Sequence, residues 1–493
     1  MQSLLPALSQ LFSDPLALAL SSFGVFLGIL IGALPGLTAT MGVAILLPFT
    51  YGMDPVAGLL MICGVFFGGV YGGSITAILL KIPGTPAAAA TAIDGFALTQ
   101  KGRGGEALGI ATISSFTGGV ISILVLMTLA PLLAKVALSF SAPETFALAV
   151  FGLSIIASIS GKSLVKGLIA GFGGLLLATV GLDPMGGFAR FTAGHSELLN
   201  LPFIPIMIGL FAAAEVFVQI GKSSQARDLK HKIGSIIPPI SSMLRVKFDV
   251  LRSAFVGVFI GIIPGAGADI AAFVAYNEAK RFSRDKDSFG SGEIKAVASC
   301  EAGANGCTGG ALLPMLTLGI PGDAVTAIML GALTLQGLTP GPLLFTQHAE
   351  LLNTLFVGML FCYLMLLLLG FASLKLISNL IKIPPFALNP LILALCVVGT
   401  YALNNSLFDV GLMLVAGFIG FFMQKGGFPA SPVVLALIMG PMAESNFRRA
   451  LALNNGSFDF LYTRPIALAL LSLAALTVLT PVLLAIRKSV KKP

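Results

Sequence analysis

Gly28-Ile-Leu-Ile-Gly32-Ala-Leu-Pro35-Gly36 and Gly257-Val-Phe-Ile-Gly261-Ile-Ile-Pro264-Gly265 are nearly the same nine residues, met twice at an offset of 229 positions. A second pair follows in the same order, Ile82-Pro83-Gly84-Thr85 and Ile320-Pro321-Gly322-Asp323, at an offset of 238. Each member of that pair is preceded by a double glycine, Gly72-Gly73 or Gly309-Gly310, and followed by Ala-Leu-Thr, at Ala97–Thr99 or Ala332–Thr334. Two ordered motifs recurring at nearly one offset mark an internal duplication.

The surroundings of these motifs are apolar. Of 493 residues 56% are hydrophobic and 10% charged, against roughly 45–50% and 25% in soluble globular chains. Uncharged stretches such as Leu16–Leu34, Val120–Ala134, Leu351–Leu374 and Ile466–Ile486 approach or exceed the roughly 20 residues a helix needs to cross the hydrocarbon core. The expectation is an all-α polytopic membrane protein with about 12 (±2) membrane helices. No Lys or Arg precedes the first apolar run and no small-residue cleavage site follows it, so that helix is expected to be retained. Cys63, Cys300, Cys307, Cys362 and Cys396 are scattered through apolar segments without CxxC spacing, which indicates neither a disulfide framework nor a thiolate metal site. No long polar segment leaves room for a soluble catalytic or nucleotide-binding domain.

The formal charge of +8 collects in short loops, as in cytoplasmic loops of membrane proteins. In the first repeat the N-terminus and residues 51–55 carry no positive charge, whereas the loop after the second motif holds Lys101 and Arg103. The second repeat is the reverse. It begins at a linker with Lys222, Arg227, Lys230, Lys232, Arg245 and Lys247, its first connection holds Lys280, Arg281, Arg284 and Lys286, and Leu338–Glu350 has no Lys or Arg. Equivalent loops then lie on opposite faces, which is an inverted-topology repeat. The expected organisation is a first repeat over 1–221, a basic cytoplasmic linker over 222–251, a second repeat over 252–464, and an extra helix with a basic tail over 465–493. That extra helix reconciles a periplasmic N-terminus with the cytoplasmic look of Arg487-Lys-Ser-Val-Lys-Lys-Pro493. Arg190, Arg448 and Arg449 fall on the outer side in this scheme and count against it.

A Pro-Gly pair inside an apolar stretch interrupts a helix, and the freed backbone groups are tolerated at membrane depth only beside protein or a water-filled cavity. A single such pair is a kink; four in repeat-related positions point to a binding region of broken, re-entrant helices. Thr85-Pro86 looks like a hydroxyl N-cap with proline at the first helical position, and Asp323 offers a carboxylate cap three residues before Thr326. Helix N-termini present free N–H groups and the positive dipole end, which suits carboxylate ligands. The candidate substrate-binding residues are Pro35, Gly36, Thr38, Thr40, Pro83, Gly84, Thr85, Pro264, Gly265, Gly267, Asn305, Thr308, Pro321 and Gly322. Asp269 and Asp323, with Asn305, are the candidates for ion coupling, because ionisable groups in such segments are expensive; they could hold Na⁺, carry a proton, or simply cap helices. Thr40 and Thr85 occupy the equivalent first-half positions. The Gly28/Gly32 and Gly257/Gly261 spacing reads as a helix-packing face.

Other ionisable residues rank lower. Lys81 is expected to snorkel, Glu301 to belong to the cavity or to a helix end, and Asp94, Glu215 and Glu444 to serve packing or interfaces. His195, His231 and His348 form no ligand cluster. Gly161-Lys162-Ser163 resembles the end of a phosphate-binding loop, but Ile156 stands where its first glycine belongs. Gly265-Ala-Gly267-Ala-Asp269 is one residue too long for the GxGD of intramembrane aspartyl proteases, which remain the alternative reading.

On Gly28–Thr40, the stretch from Gly72 through Lys81-Ile-Pro-Gly-Thr-Pro86, Gly257–Asp269 and Gly309–Asp323, the chain resembles the large permease subunit of the tripartite tricarboxylate transporter family. The resemblance implies a multi-pass subunit of the bacterial inner membrane, working with a small four-helix membrane subunit and a periplasmic solute-binding protein. It implies carboxylate uptake driven by a Na⁺ or H⁺ gradient, with no other cofactor and no enzymatic activity.

Overall fold

The computed structural model describes residues 4–34, 37–154, 156, 163–183, 185–220, 235–380 and 385–490. They are almost entirely helical. The first half runs through α1 (Leu4–Phe12), α2 (Pro15–Ala33), α3 (Ala39–Leu46), α4 (Pro55–Leu80), α5 (Ala88–Gln100), α6 (Gly104–Ala137), α7 (Ala142–Ser154) and α8 (Leu164–Ala178). A two-stranded antiparallel hairpin, β1 (Gly181–Leu182) and β2 (Ala189–Arg190), precedes α9 (Phe203–Ile220). The second half holds α10 (Ile240–Ile262), α11 (Gly267–Phe282), α12 (Ile294–Leu318), α13 (Ala324–Leu335), α14 (Ala349–Leu380), α15 (Pro385–Asn404), α16 (Leu407–Gly426), α17 (Ser431–Leu453) and α18 (Pro465–Val490).

Six of these helices, α2, α4, α6, α9, α14 and α16, are long and apolar enough to cross a membrane, and shorter apolar helices accompany them. α4 has 26 residues, about 39 Å at ~1.5 Å per residue. The chain is thus nearly all-α, with the long apolar helices of a polytopic membrane protein. Large apolar side chains such as Phe172, Leu176, Phe259 and Phe422 point outward, as they can where lipid is the solvent.

The helices form two compact units: Met1–Ala134 with Glu215–Asn405, and Lys135–Ala214 with Ser406–Pro493. Each unit draws on both halves of the chain.

In the first unit, Asp14-Pro15 and Asp54-Pro55 start α2 and α4 alike: the carboxylate accepts the first free N–H groups and proline sits at the first helical position. α4 and α12 are buried almost end to end, and each meets a partner helix through glycine. A β-carbon on Gly28 would stand 2.5 Å from the Val65 carbonyl oxygen, and one on Gly32 2.3 Å from that of Gly69. The repeat mates Gly257 and Gly261 meet the carbonyls of Gly303 and Cys307 at 2.1 and 2.3 Å. From the other side, Gly68 and Gly72 face the carbonyls of Val25 and Ile29, and Gly306 and Gly310 face those of Ala254 and Val258. Every second-half partner lies at the offset of its motif, 229 on α10 and 238 on α12. The duplication is thus one of packing as well as of sequence, and the Gly-xxx-Gly pairs are packing faces.

The halves interlock. Gly118 of α6 abuts the Ala302 carbonyl of α12, and Gly309 of α12 abuts Ser122 of α6. Conversely, Gly358 of α14 lies against Leu60 of α4, and the Tyr363 ring stacks on Phe67 at 4.5 Å between centroids.

In the second unit, α17 packs on α7 and α8, and α18 on α7. The β1–β2 hairpin carries Arg190, whose guanidinium lies 2.7 Å from Glu444 and 3.5 Å from Asp183. Arg448 bonds Asp183 and Glu444 at 2.8 and 2.7 Å. Two of the three arginines that counted against the topology are thus paired with carboxylates. The Gly186 N–H, with help from the Met185 N–H and Arg448 and against the cost of desolvation, holds the Asp183 carboxyl below the usual range.

Two outcomes follow from this packing. Gly68→Leu and Gly306→Leu should each destabilise the solubilised protein by about 1–3 kcal/mol or more. Gly173→Ala on α8, with nothing within 4 Å of the added carbon, should be neutral or slightly stabilising; thermal unfolding in detergent checks both. Because folding depresses the Asp183 pKa, its contribution is present above the unfolded value of about 3.9 and fades as pH falls below it. The melting temperature should fall with acid below about pH 4, and Asp183→Asn should flatten that limb.

Candidate functional site: the four helix breaks

All four apolar runs break where the sequence places Pro-Gly: between α2 and α3, α4 and α5, α10 and α11, and α12 and α13. Pro35 and Gly36 lie outside the described residues, as do Lys222, Arg227, Lys230, His231 and Lys232.

The second break of each half is built alike. α4 ends on Lys81 and α12 on Gly319, both left-handed, with φ of 59° and 70°. The Lys81 N–H donates to the Ala77 carbonyl and that of Ile82 to Thr76; Gly319 and Ile320 donate to Met315 and Pro314 at the equivalent positions. Glycine adopts this conformation readily and lysine does not. Lys81 is exposed, its ammonium 5.9 Å from the Phe96 ring centroid.

The two second-half breaks are joined directly: the Gly265 N–H donates to the Gly322 carbonyl at 2.6 Å. Gly265 and Gly267 have φ of 84° and 67°. A β-carbon on Gly267 would lie 2.6 Å from Asp269 Oδ1 and 3.9 Å from Asp323 Cβ, so the two carboxylates flank this glycine. Asp269 is exposed in the first turn of α11. Asp323 is half-buried and caps α13 reciprocally: the Thr326 N–H donates to Asp323 Oδ1, and the Asp323 N–H to Thr326 Oγ1, both at 2.8 Å. Pro264 and Gly265 are half-buried; Pro321 and Gly322 are fully buried.

In the first half, Thr38 caps α3 by accepting the Met41 N–H at 3.2 Å, and Thr40 is half-buried in the same turn. Pro83 is exposed. Gly84 donates to the Gly73 carbonyl at 3.2 Å, and a β-carbon on it would lie 2.0 Å from the Gly32 carbonyl oxygen. Thr85 is not the N-cap the sequence suggested. α5 begins at Ala88 after Ala87, without a side-chain cap. The Thr85 carbonyl takes the Ala88 N–H in a preceding turn, while its hydroxyl is buried beside Gly73 without a partner among the described residues.

Asn305 and Thr308 sit at a helix crossing. Thr308 Oγ1 lies 2.6 Å from Tyr363 Oη and donates to the Asn305 carbonyl at 2.7 Å. The Asn305 amide donates to the Glu301 carbonyl at 3.2 Å, and its Oδ1 has no partner among the described residues. Thr308 therefore serves the packing of α12 on α14, and Asn305 keeps one free buried acceptor.

The carboxylates ranked low in the sequence bind the halves together. Asp94 on α5 accepts the N–H groups of Gly290, Gly292 and Glu293 at 2.7–2.9 Å and the Tyr276 hydroxyl at 3.0 Å. Glu301, about two turns into α12, accepts hydroxyls from Ser74, Thr91 and Ser115. The signal was a lone carboxylate inside an apolar helix; its partners, hydroxyls about two hundred positions away, carry no sequence signature. Among the described residues no three His, Cys, Asp or Glu side chains group as metal ligands, so a cation at Asp269 and Asp323 would draw on backbone carbonyls and hydroxyls, an all-oxygen set suited to a hard ion.

The chemistry divides by half. α3 and α5 have no acid in the first turn, so no side-chain charge offsets the positive dipole end there; the first N–H groups of α5 donate to the carbonyls of Thr85, Pro86 and Ala87. α11 and α13 carry Asp269 and Asp323 at theirs, which suits a cation. Thr85→Val removes a buried unpaired hydroxyl, so it should hold or raise the melting temperature. Thr326→Val opens the capping box and should cost about 1 kcal/mol. Melting curves on the two purified variants separate these outcomes.

The family profile described as "Tripartite tricarboxylate transporter TctA family" matches residues 18–435. An uncharacterized 52.8 kDa protein in the TAR-I ttuC' 3' region of Agrobacterium vitis is 37% identical over 465 residues, covering 94% of this chain and 93% of that protein. An uncharacterized protein in the TAR-II ttuC' 3' region of the same organism is 34% identical over 231 residues, 47% of this chain and 96% of its own length. No solved structure matches. The chain belongs to the tripartite tricarboxylate transporter TctA family, a family of transporters and not of enzymes.

Proposed function

We propose that this permease is the large subunit of a binding-protein-dependent secondary transporter whose import of tricarboxylates or other organic carboxylates is driven by an ion gradient. The observation that carries this reading is the meeting of two helix breaks at Gly265 and Gly322, flanked by Asp269 and Asp323, with acid-free breaks in the other half. A polyanion needs open helix N-termini, and moving it through hydrocarbon needs cations to offset its charge. The substrate carboxylates dock at the N-termini of α3 and α5, with Thr38, Thr40 and the free Thr85 hydroxyl as side-chain contacts. Na⁺ or a proton is held near Asp269 and Asp323, whose oxygen donors suit either, and Asn305 Oδ1 is the remaining buried acceptor.

The two halves are related as an inverted repeat in the bacterial inner membrane, with the N-terminus periplasmic and the C-terminus cytoplasmic. The partners are a periplasmic solute-binding protein, which selects the carboxylate, and a small membrane subunit. Nothing among the relatives supports the intramembrane protease alternative.

Reconstitution with both partner subunits and a labelled tricarboxylate is the test. Uptake should follow an imposed Na⁺ or H⁺ gradient, and Asp269→Asn or Asp323→Asn should lower it by roughly tenfold or more, the scale of one lost charge-assisted contact. Binding-protein-dependent uptake that persists with no ion gradient would overturn secondary transport.

A further inference from the structure

Glu301 is 1% exposed in a helix that is itself buried. Its oxygens meet three hydroxyls: Ser74 from α4 and Thr91 from α5, at 2.5 Å for Thr91, share Oε1, and Ser115 from α6 reaches Oε2 at 3.0 Å. The other titratable groups facing this point are Tyr71 on α4, bonded to Thr112 of α6; Asp94 on α5, one turn beyond Thr91; and Cys300 on its own helix. None is cationic, and no Lys, Arg or His forms an ion pair with Glu301 among the described residues.

Packing does not require a carboxylate here. At the offset of 238 that relates α4 to α12, the position of Glu301 is held in the first half by Cys63, buried without any acid. A charge placed where the duplicated fold accommodates a thiol, without a counter-cation, is costly and calls for a use. The ligand set supplies one. A guanidinium would fix the group as an anion, but a hydroxyl both donates and accepts. With Glu301 ionised, all three hydroxyls donate to it. With Glu301 protonated, Oε2–H donates to Ser115 Oγ, whose own hydrogen turns away, and the other two bonds persist. The cluster thus holds either charge state without moving a backbone atom.

We propose that Glu301 is a proton-carrying residue of this permease: it takes up a proton from one aqueous face and gives it up to the other, and so couples carboxylate uptake to the proton gradient. The proposal rests on the secondary-transport reading above and leaves the Asp269–Asp323 pair free to hold a further cation. Its reach into transport is geometric. Thr91 lies six residues after Thr85 on the helix that follows the Pro83-Gly84 break, and Glu301 lies on the helix that leads into the Pro321-Gly322 break. The charge on one carboxyl therefore bears on how α5 docks against α12.

Glu301→Gln tests this with little disturbance, because the amide reproduces the protonated group: its oxygen accepts from Ser74 and Thr91, and its NH₂ donates to Ser115. In proteoliposomes with the partner subunits, the variant should keep exchange of internal for external carboxylate within about threefold of the parent. It should lose accumulation driven by an inward proton gradient by roughly tenfold or more, within ordinary coupling strengths, and its pH profile should flatten. Ser115→Ala removes a hydroxyl that donates to the ionised carboxylate, a stronger bond than the one it accepts from the protonated form, so it should shift that profile toward higher pH; a purely structural role would lower stability in both variants and leave the profile in place. Glu301→Gln accumulating with the parent's proton dependence overturns the proposal, as does a parent driven by Na⁺ alone. If the parent shows no gradient-driven uptake, the transport reading fails instead. Infrared pH titration of the purified chain still decides on Glu301: a carboxyl C=O band that titrates and is absent from Glu301→Gln supports a proton site, and no such band overturns it.

Discussion

A helix broken inside hydrocarbon frees backbone N–H and C=O groups that no water can reach, and the first structural unit is arranged around meeting that demand. The ends of α4 and α12 fold back on themselves through left-handed residues at Lys81 and Gly319, and the next N–H reaches a carbonyl of the helix just left. Gly84 donates to Gly73, and Gly265 to Gly322. Such bonds form only if the strands of chain come very close. The glycine seams of α2 on α4 and of α10 on α12 provide that closeness, each carbonyl filling the space of an absent side chain.

On this duplicated packing the side chains are not duplicated. Thr40 and Thr85 correspond to Asp269 and Asp323 at the repeat offsets, Cys63 to Glu301, and Lys81 to Gly319. Duplication supplies four helix breaks, and divergence leaves acids at those of the second half only. An acid at a helix N-terminus neutralises the positive end that would otherwise draw an anion, and the proposed separation of anion and cation sites rests on that difference.

The halves are also locked into one another. α6 packs on the pillar of the second half and α14 on that of the first, and Asp94 and Glu301 tie residues of one half to groups of the other. In an apolar medium, where burial of hydrocarbon gives no driving force between helices, close packing and interhelical hydrogen bonds are the remaining cohesion. The buried carboxylates contribute to that cohesion.

The amino-acid sequence by itself determined the class of protein, the duplication and the positions of the breaks, because hydropathy, repeated Pro-Gly pairs and small-residue spacing are local properties of the chain. It also placed Asp323 as a cap, since capping is settled within four residues. It did not place Thr85, whose hydroxyl turns to Gly73 because α4 lies there, nor Thr308, which meets Tyr363 from another helix. The pairing of Gly265 with Gly322 and the gathering of Ser74, Thr91 and Ser115 around Glu301 were decided only by the tertiary structure. A hydrogen bond between residues two hundred positions apart depends on how helices cross, and no local pattern records that crossing.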